Sequence, residues 1–402
     1  MKPGWEVKPL GEVCRLELGS TPQRKNPKFW DDEKITRNVW LSIADMTAVN
    51  GKKIDDSKEY VSDIAAAKMK LVPEGTLILS FKLSLGRVAI TGRDLRTNEA
   101  IVAIHDLDAK RVNREYLYWY FSFFDWNAAA ANDEKLKGKT LNKAKLKVQP
   151  VIIPPLEEQK RIVAVLDAAF EGLTRAKENA ETNLQNAREL FESIARSVFG
   201  IGERDWPKAT LPKVCSDFGR GKSRHRPRNE PSLYGGHYPF LQTGDLSQAG
   251  RTVSHSSQTY SEKGLAQSKL WPSGTVCIAI VGATIGESAI TAMPACFPDS
   301  VIGMVPDQTK ALSAYVQHLL EHYKDDLKAA GEGSARDNIN LATFEDWAFP
   351  IPSVEHQSRV VEKLDQAAQS SGDLSAHYQS KLTDIADLRQ SLLQKAFAGE
   401  LT

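Results

Sequence analysis

The sequence predicts an α+β protein made of two similar halves, in which each mixed α/β domain is followed by one long helix. The segment that begins at Pro154 returns at Pro352, 198 residues later, and seven of its fourteen positions are identical. After each copy, apolar residues recur at three- and four-residue steps with no interrupting proline, which is typical of a long helix with a narrow apolar seam. A repeat of this length indicates a duplicated domain rather than a solenoid, whose units have roughly 20–50 residues.

Residues 1–150 are predicted to form the first mixed α/β domain. Short apolar runs bounded by glycine or proline, at 76–80, 87–90 and 100–104, are typical of buried strands. A segment rich in aromatic residues at 114–124 predicts a helix. This mixture favours an irregular α/β domain over a regular doubly wound sheet.

Residues 151–204 are predicted to form the first long helical segment. Pro154 and Pro155 end the preceding strand. Glu157 and Glu158 follow, and the positive end of the helix dipole stabilises acidic groups at a helix start. At 1.5 Å per residue, the helix would span roughly 60 Å. Its predicted seam consists of Ile162, Leu166, Ala169, Leu173, Ala176, Ala180, Leu184, Ala187, Phe191, Ile194 and Val198.

Residues 205–348 are predicted to repeat the first domain, and residues 349–402 to repeat the helical segment. A matching apolar run at 275–280 predicts the equivalent buried strand. Cys14 and Cys215 occupy the same place in the two copies, which favours buried small apolar side chains over reactive thiols. The framework is thus shared, whereas the segments between the matching positions differ strongly.

Two apolar seams in one chain favour an antiparallel pairing of the two helices as a coiled coil. The order domain–helix–domain–helix then gives an internal pseudo-twofold axis, with the two domains expected at opposite ends of a rod. In the alternative arrangement, each helix packs on its own domain. The length and the narrow seam of the helices favour the paired arrangement.

The overall composition indicates a globular protein of the cytoplasm. The chain has 402 residues, a net charge of +1 and four widely spaced cysteines, which suit a reducing compartment. We find no run of eighteen apolar residues and no apolar stretch near the N-terminus, so we expect neither a transmembrane helix nor a signal peptide. The net charge argues neither for nor against binding to nucleic acid.

Basic residues are concentrated in three short stretches, although the overall charge is close to zero. Such a stretch is often only a solvated face, but two of the three lie early in the two halves, in the segments that differ most. The stretches contain Arg24, Lys25 and Lys28; Lys135, Lys137, Lys139, Lys143, Lys145 and Lys147; and Arg220, Lys222, Arg224, Arg226 and Arg228.

The run from Pro154 to Val163 and its copy at 352–361 are the most specific features of the chain. Other characteristic segments are Trp5 with Leu10-Gly11-Glu12-Val13, Gly19-Ser20-Thr21-Pro22, Trp40-Leu41-Ser42-Ile43-Ala44-Asp45, Gly221-Lys222-Ser223, Gln242-Thr243-Gly244-Asp245 and the segment from Leu392 to Thr402. With these segments, essentially the whole chain resembles the specificity subunit of type I restriction-modification enzymes. One departure is segment 138–143, which lacks the Gly-x-x-x-x-Asn-Ile run that the second half keeps at 333–339.

The resemblance implies a division of labour along the chain. Residues 1–150 and 205–348 would be target-recognition domains, each reading one half of a bipartite, asymmetric site in double-stranded DNA. The helices would set the spacing of the half-sites and dock two adenine-methyltransferase subunits, which in turn carry restriction and translocase subunits. This chain would hold no cofactor of its own, since S-adenosylmethionine, ATP and Mg²⁺ would belong to its partners.

The resemblance and the basic stretches together predict two sets of contact residues. Arginine suits DNA recognition because its planar fork binds phosphate or the guanine O6 and N7 atoms. The predicted DNA contacts are Arg24, Lys25, Lys28, Lys82, Lys139 and Asn142 in the first domain and Arg220, Lys222, Arg224, Arg226, Arg228, Arg336 and Asn338 in the second. The predicted partner-docking residues of the helix motif are Glu157, Gln159, Arg161, Glu355, Gln357 and Arg359.

Two other classes of function were weighed against this interpretation. A methyltransferase needs an Asn/Asp-Pro-Pro-Tyr/Phe motif, and Pro154-Pro155 lacks both the amide and the aromatic residue. Gly221-Lys222-Ser223 resembles the end of a phosphate-binding loop, but Ser216 replaces its first glycine. No His/Cys cluster has the spacing of a metal site, so we predict no catalysis in this chain. A non-catalytic coiled-coil scaffold without sequence-specific DNA binding stays open as the alternative.

Overall fold

The computed structural model of the chain describes residues 2–48, 51–131, 134–135, 138–139, 141–225, 227–331 and 339–401, with 134–135 and 138–139 described by their backbone alone. The chain divides into two compact units. Unit 1 comprises Met1–Asn179 with Lys381–Thr402, and unit 2 comprises Ala180–Ser380. Each unit therefore combines one globular half of the chain with parts of both long helical segments.

Unit 1 contains twelve short strands and six short helices before the first long helix, counted over the described ranges. A 3₁₀ helix, Pro27–Phe29, lies between the second and third strands. The elements are β1 (Glu6–Pro9), α1 (Leu10–Val13), β2 (Arg15–Leu18), β3 (Val39–Leu41), α2 (Ile43–Ala48), β4 (Lys53–Ile54), β5 (Glu59–Tyr60), α3 (Asp63–Ala66), β6 (Leu77–Ser80), β7 (Val88–Thr91), β8 (Arg96–Thr97), β9 (Ile101–His105), α4 (Arg114–Phe123), α5 (Trp126–Ala129), β10 (Glu134–Lys135), β11 (Gly138–Lys139), α6 (Lys143–Lys147), β12 (Pro150–Ile153) and the long helix α7 (Leu156–Asp205).

A five-stranded sheet of order β2-β9-β6-β7-β4 forms the centre of unit 1. Its neighbours are antiparallel except β4 and β7, which run parallel. Successive side chains of a strand point to opposite faces, and both faces of β6 are buried: Leu77 and Leu79 enter one apolar core, and Ile78 enters another. Burial on both faces explains why this strand reads as a continuous apolar run. A three-stranded sheet, β5-β3-β8, and the antiparallel pair β1-β12 complete the main strand pairings.

Unit 2 repeats the main elements of this plan, although its second sheet has four strands rather than three. After α7, its elements are β13 (Lys208–Thr210), α8 (Leu211–Val214), β14 (Cys215–Arg220), β15 (Tyr234–Phe240), α9 (Thr243–Gln248), β16 (Thr252–Val253), β17 (Gln258–Tyr260), α10 (Glu262–Ala266), β18 (Leu270–Trp271), β19 (Val276–Ala279), β20 (Ser288–Thr291), β21 (Ala295–Cys296), β22 (Val301–Pro306), α11 (Ser313–His322), α12 (Lys324–Gly331), α13 (Leu341–Asp346), β23 (Ala348–Pro350) and the second long helix α14 (Val354–Ala398). Two 3₁₀ helices, Pro231–Leu233 and Gly282–Thr284, lie in the connections.

The central sheet of unit 2 has the order β14-β22-β19-β20-β16, which matches the central sheet of unit 1 strand for strand. The parallel pair recurs as β16 and β20, and the terminal antiparallel pair recurs as β13 and β23. The predicted strands and the predicted aromatic helix are confirmed as β6, β7, β9, β19 and α4. The predicted duplication is therefore confirmed at the level of topology.

The two long helices pair with opposite chain directions in each unit, as predicted. In unit 1, the guanidinium carbon of Arg389 in α14 lies 4.8 Å from the ring centre of Phe170 in α7. In unit 2, the hydroxyl of Ser371 in α14 donates a hydrogen bond of 2.6 Å to the carbonyl of Ala187 in α7. Early residues of α7 thus meet late residues of α14, and late residues of α7 meet early ones.

Each long helix packs at its start on the domain that precedes it, as the alternative arrangement predicts, and at its end on the domain of the other half. In unit 1, Phe397 near the end of α14 contacts the rings of Tyr116 and Tyr120 in α4. In unit 2, Phe199 near the end of α7 contacts the ring of Tyr315 in α11. Among the helices of the described ranges, none is long and apolar enough to cross a membrane.

Candidate nucleic-acid interface

Arg24 is held in a fixed position on the loop that follows β2. Its guanidinium lies 4.3 Å from the ring centre of Trp30 and 4.6 Å from that of Trp40, and it forms an ion pair with Glu59. The indole of Trp40 donates a hydrogen bond of 3.0 Å to the carbonyl of Ser20. Cation–π stacking orients a guanidinium without shielding all of its donors, so Arg24 is preorganised.

Lys25 and Lys28 are exposed beside this arginine. Lys28 lies on the 3₁₀ helix Pro27–Phe29, whose N-cap Asn26 accepts a hydrogen bond from the backbone of Lys28. In the described part of the chain, neither lysine side chain forms a hydrogen bond or an ion pair. A cleft of about 360 Å³ lies here, lined by Arg24, Lys25, Pro27, Trp30, Asp31, Asp32, Lys58, Glu59 and Tyr60.

Lys82 lies near the same surface, because the amide of its neighbour Phe81 donates to the carbonyl of Ala100 at 3.0 Å, beside Glu99, which accepts a hydrogen bond from Thr21. Partial burial opposes ionisation of Glu99, but a hydrogen bond from Thr21 and the charges of Lys82 and Arg24 outweigh it and hold the pKa of Glu99 below its ordinary value. The ammonium of Lys82 also lies 5.2 Å from the ring centre of Phe81. The structure therefore brings Arg24, Lys25, Lys28 and Lys82 together in the first domain.

Asn142 has a role inside the chain that the sequence interpretation missed. Its side chain caps α6 by accepting a hydrogen bond of 2.9 Å from the backbone of Lys145. In unit 2, Asn340 caps α13 in the same way, at 3.1 Å from the backbone of Thr343. The counterpart of Asn142 is thus Asn340. Asn142 is exposed, but its carbonyl oxygen is already used.

Four of the predicted DNA contacts cannot be placed by the structure. Arg226, Arg336 and Asn338 lie outside the described residues, and of Lys139 only the backbone in β11 is described. Their contact with DNA stays a prediction.

The basic loop of the second domain follows β14, the counterpart of β2. Arg220, half-buried, ends β14 opposite Ile302, and Lys222 is exposed. The backbone amides of Arg224 and His225 both donate to the side-chain carbonyl of Gln267, at 2.5 and 3.0 Å. This anchor fixes the backbone and leaves the side chain of Arg224 exposed.

Arg228 is held by a two-pronged contact with Asp299. One guanidinium nitrogen lies 2.8 and 2.7 Å from the two carboxylate oxygens, and the hydroxyl of Tyr234 donates to the carbonyl of Arg228 at 2.6 Å. Asp299 occupies the place that Glu99 has in unit 1. An acidic residue at the same place thus holds the basic loop in both domains, although through different partners.

The glutamines of the repeated motif are buried, which corrects the docking prediction for them. Gln159 accepts a hydrogen bond of 2.8 Å from the backbone of Asn113 and donates to the carbonyls of Arg111 and Pro154, at 2.8 and 2.7 Å. Its side chain is fully buried. These bonds join the start of α7 to the connection between β9 and α4. Because the side chain of Gln159 is buried there, it cannot contact a partner.

Gln357 makes the equivalent set of bonds in unit 2. It accepts from the backbone of Leu312 at 2.9 Å and donates to the carbonyls of Lys310 and Pro352, at 2.9 and 2.8 Å. Gln357 is also fully buried. The repeated glutamine therefore fixes each helix start to its own domain.

The charged residues of the motif remain on the surface. Glu157 forms an ion pair of 2.8 Å with Lys160, and this contact holds the pKa of Glu157 below its ordinary value. Arg161 is exposed, and Glu355 and Arg359 form an exposed pair at 3.5 Å. Exposed pairs of this kind contribute little to stability, so these residues are available to a partner.

The last residue of the repeated motif, an aspartate, joins helix and domain in both units. Asp167 accepts a hydrogen bond of 2.7 Å from the indole of Trp119 and forms an ion pair with Lys52. The sequence interpretation found the identity of this aspartate with Asp365 but gave it no role. The long separation from Lys52 hid the contact.

Asp365 makes the corresponding contacts in unit 2, with Arg251 and His318. Burial lowers the pKa of His318 to about 4, and the charge of Arg251 acts in the same direction against the opposing effect of Asp365. The imidazole is therefore neutral near pH 7 and donates from Nε2 to the carboxylate. Its Nδ1 is buried without a hydrogen-bond partner in the described part of the chain.

No catalytic group stands out in the described residues. Burial raises the pKa of Cys14, Cys215 and Cys277 to about 12, so these thiols are poor nucleophiles. Within the described ranges, no group of three or more His, Cys, Asp or Glu residues is placed to hold a metal ion. The basic loops are the chemically distinctive surfaces of both domains.

Comparison with known proteins shows where this arrangement recurs. The family model of the type I restriction modification DNA specificity domain matches residues 2–184 and 205–383. The chain is 21% identical to the type I restriction enzyme MjaIX specificity subunit of Methanocaldococcus jannaschii, over 99% of this chain and 93% of that protein. It is 23% identical to the EcoR124I/EcoR124II specificity subunit of Escherichia coli, over 67% of each chain.

Solved structures share the fold. The HsdS subunit from Thermoanaerobacter tengcongensis superposes with a TM-score of 0.66 and 21% identity, over 100% of this chain and 98% of that one. A chain from a study of complex assembly and conformational transition of the type I R-M system superposes with a TM-score of 0.72 and 20% identity, over 100% and 99%. The two matched segments are the two halves of the duplication, each with its basic loop. The chain therefore belongs to the type I restriction-modification specificity family, with two copies of its DNA specificity domain.

Proposed function

We propose that this protein is the DNA sequence-specificity subunit of a type I restriction-modification complex. Each globular domain reads one half of a bipartite, asymmetric DNA site. The two long helices set the distance between the half-sites and dock two adenine-methyltransferase subunits. The chain supplies recognition, and its partners supply the chemistry.

The observation that carries the proposal is that two domains of the same fold present two different basic loops. The loops follow equivalent strands, β2 and β14, and an acidic residue at the same place, Glu99 or Asp299, holds each of them. Arg24 is oriented by two tryptophan rings, whereas Arg228 is oriented by Asp299. Equivalent positions with different side chains suit two domains that read different sequences.

Electrostatics supports the assignment of these loops. Phosphate contacts supply affinity and register, and base-edge contacts supply sequence information. The exposed side chains of Lys25, Lys28, Lys222 and Arg224 suit phosphates, because each keeps its charge free in the described structure. The oriented arginines suit base edges, where a fixed guanidinium loses less conformational entropy on binding.

The length and the pairing of the helices support the spacing role. Half-sites on one face of B-DNA are about one helical turn, roughly 34 Å, apart. Helix α7 has 50 residues and contributes to both compact units. An unbroken helix of this length measures roughly 75 Å, and pairing with α14 stiffens it.

The exposed charges of Glu157, Arg161, Glu355 and Arg359 are the proposed docking contacts for the methyltransferase subunits. Restriction subunits would join through those partners. S-adenosylmethionine would be used by the methyltransferases, and ATP with Mg²⁺ by the restriction subunits. Since the substrate is chromosomal and incoming DNA, the complex would act in the cytoplasm.

Methylation mapping tests the proposal directly. The chain is co-expressed with its cognate methyltransferase subunit, and N6-methyladenine is mapped across the host DNA. We expect a split, asymmetric motif with one fixed spacer that disappears when this chain is omitted. A stable complex that gives no methylation and no salt-dependent binding to DNA would instead support a coiled-coil scaffold.

A further inference from the structure

Leu83, in the loop between β6 and β7, combines a strained backbone with an exposed apolar side chain. Its φ angle is 63°, and its side chain is among the exposed large apolar residues, at 55% exposure. A positive φ brings the Cβ of an L-residue too close to the following carbonyl oxygen, so it costs free energy for any residue except glycine. Water contact adds a cost for the apolar side chain.

The other non-glycine residues with positive φ in the described structure have polar contacts that offset the strain. The ammonium of Lys34 donates to the carbonyl of Ser57 at 2.9 Å, and Asp106 pairs with Arg15 at 2.5 Å. Leu83 has no polar group in its side chain to make such a contact. Backbone strain that no nearby contact offsets is common at functional sites.

The loop is firmly fixed at its base, so Leu83 is presented in a defined position. Ser80 is fully buried. It accepts a hydrogen bond of 2.9 Å from the backbone of Arg87 on its hydroxyl, and the same hydroxyl donates to the carbonyl of Ser84. The amide of Gly86 donates to the carbonyl of Ser80 at 2.9 Å. These bonds close the loop immediately around Leu83.

The second domain has glycine at the corresponding position. Counted from the preceding strand, Leu83 corresponds to Gly282, whose φ is 67°. A Cβ atom added at Gly282 would meet no other atom within 4 Å. Glycine adopts this backbone conformation freely. The loop conformation alone therefore does not explain a leucine in the first domain.

Leu83 lies close to the basic loop of the first domain. Phe81, two residues before it, donates its amide to the carbonyl of Ala100 at 3.0 Å. The neighbouring Glu99 accepts a hydrogen bond from Thr21, three residues before Arg24. Apolar side chains on DNA-binding surfaces contact the thymine methyl group or insert against the faces of bases. We propose that Leu83 is a specificity-determining residue, which contacts the bases of the first half-site through its apolar surface. This inference rests on the proposed function.

Leu83→Gly is a suitable test because glycine keeps the loop conformation and removes only the side chain. The wild-type and variant chains, each in complex with the co-expressed methyltransferase, are titrated with a DNA duplex carrying the mapped site. We expect an affinity about tenfold lower for Leu83→Gly, an unchanged or higher melting temperature, and a methylation motif relaxed at one or more base pairs of the first half-site only.

Asp106→Gly is the matched control. Like Leu83, Asp106 has a positive φ, and glycine would relieve the strain there too. Asp106 follows the end of β9 that is remote from Ser80, since Ser80 pairs with Ile101 at the other end of that strand. We expect its affinity and its motif to equal those of the wild type.

Replacing the thymines of the first half-site by uracil separates the two kinds of base contact. A loss of affinity that occurs with wild type but not with Leu83→Gly identifies a contact with the thymine methyl. No loss with uracil, together with a relaxed motif for Leu83→Gly, identifies contact with a base face. If the wild type binds specifically and Leu83→Gly keeps both affinity and motif, this inference is wrong and the proposed function stands. If the wild-type complex shows no sequence preference, both are overturned.

Discussion

Nε2 of His318 lies 2.9 Å from a carboxylate oxygen of Asp365, so the last residue of the second repeated motif holds a buried side chain of α11. In the first half, Trp119 and Asp167 make the same contact at 2.7 Å. One aspartate thus joins helix to domain twice, through an indole in one copy and an imidazole in the other. Only the second contact contains an imidazole, a group whose ordinary pKa is close to neutral pH.

We expect stability to fall below pH 6.5 through His318. Its folded pKa of about 4 is lower than the ordinary value of 6.5, so between these values the unfolded chain takes up a proton that the folded chain does not. By linkage, this lowers the free energy of unfolding by about 2 kcal/mol between pH 7 and pH 5. Urea unfolding at both pH values should show this loss.

His318→Gln provides the comparison, because glutamine can still donate to Asp365 and does not titrate. The other histidines remain in the variant, so the difference between the two proteins isolates His318. The interpretation fails if both proteins lose the same stability between pH 7 and pH 5.

Gln159→Leu should destabilise unit 1 strongly. Leucine has a similar size but leaves the backbone of Asn113 and the carbonyls of Arg111 and Pro154 without their hydrogen-bond partner. Buried groups left in this way cost roughly 2–4 kcal/mol in total. Thermal or urea unfolding measures the loss. Gln185→Leu on the exposed face of α7 is the control and should change stability by less than about 0.5 kcal/mol; equal effects would remove the special role of Gln159.

Lys25→Ala should weaken DNA binding without changing the recognised sequence. The side chain is exposed and suits a phosphate contact, so its loss should reduce affinity for all duplexes alike and lower the slope of log K against log salt by roughly one. Binding is measured for the methyltransferase complex at several salt concentrations. Lys110→Ala, exposed in the connection before α4, is the control. A changed methylation motif for Lys25→Ala would instead assign this lysine to base readout.

Shortening both long helices by one heptad should shorten the DNA spacer. The deletion removes residues 174–180 of α7 and 378–384 of α14, which keeps the period of both apolar seams. Seven residues correspond to roughly 10 Å of helix, or about three base pairs of B-DNA at roughly 34 Å per turn. Methylation mapping should find the same two half-sites with a shorter spacer; altered half-sites would contradict the spacing role.

The sequence predicted the elements well because their signals are local. The apolar run of β6 and the aromatic helix α4 could be recognised within windows of a few residues. The division into units could not, because nothing in the sequence near Lys381 indicates that this residue belongs with the first domain. Helix pairing across about 200 residues decides that division.

The candidate site was predicted less completely, and for the same physical reason. Basic residues stand out by charge, so Arg24 and Arg228 were predicted as contacts, whereas their acidic partners Glu59 and Asp299 lie 35 and 71 residues away in the chain. Gln159 was predicted to dock a partner because it belongs to the repeated helix motif. Its burial depends on Arg111 and Asn113, which no pattern connects with it. The cap formed by Asn142 was missed because Asn142 was considered only as a DNA contact.

The place of Phe397 also has a consequence for synthesis on the ribosome. The core of unit 1 includes Ala396 and Phe397, which are translated more than 200 residues after Asn179. At about 5–20 residues per second, the first domain waits on the order of 10–40 s for these side chains. Unit 2 ends at Ser380 and is complete earlier. A nonsense mutation shortly before codon 396 would therefore damage the N-terminal domain, which was made first, and spare the one made after it.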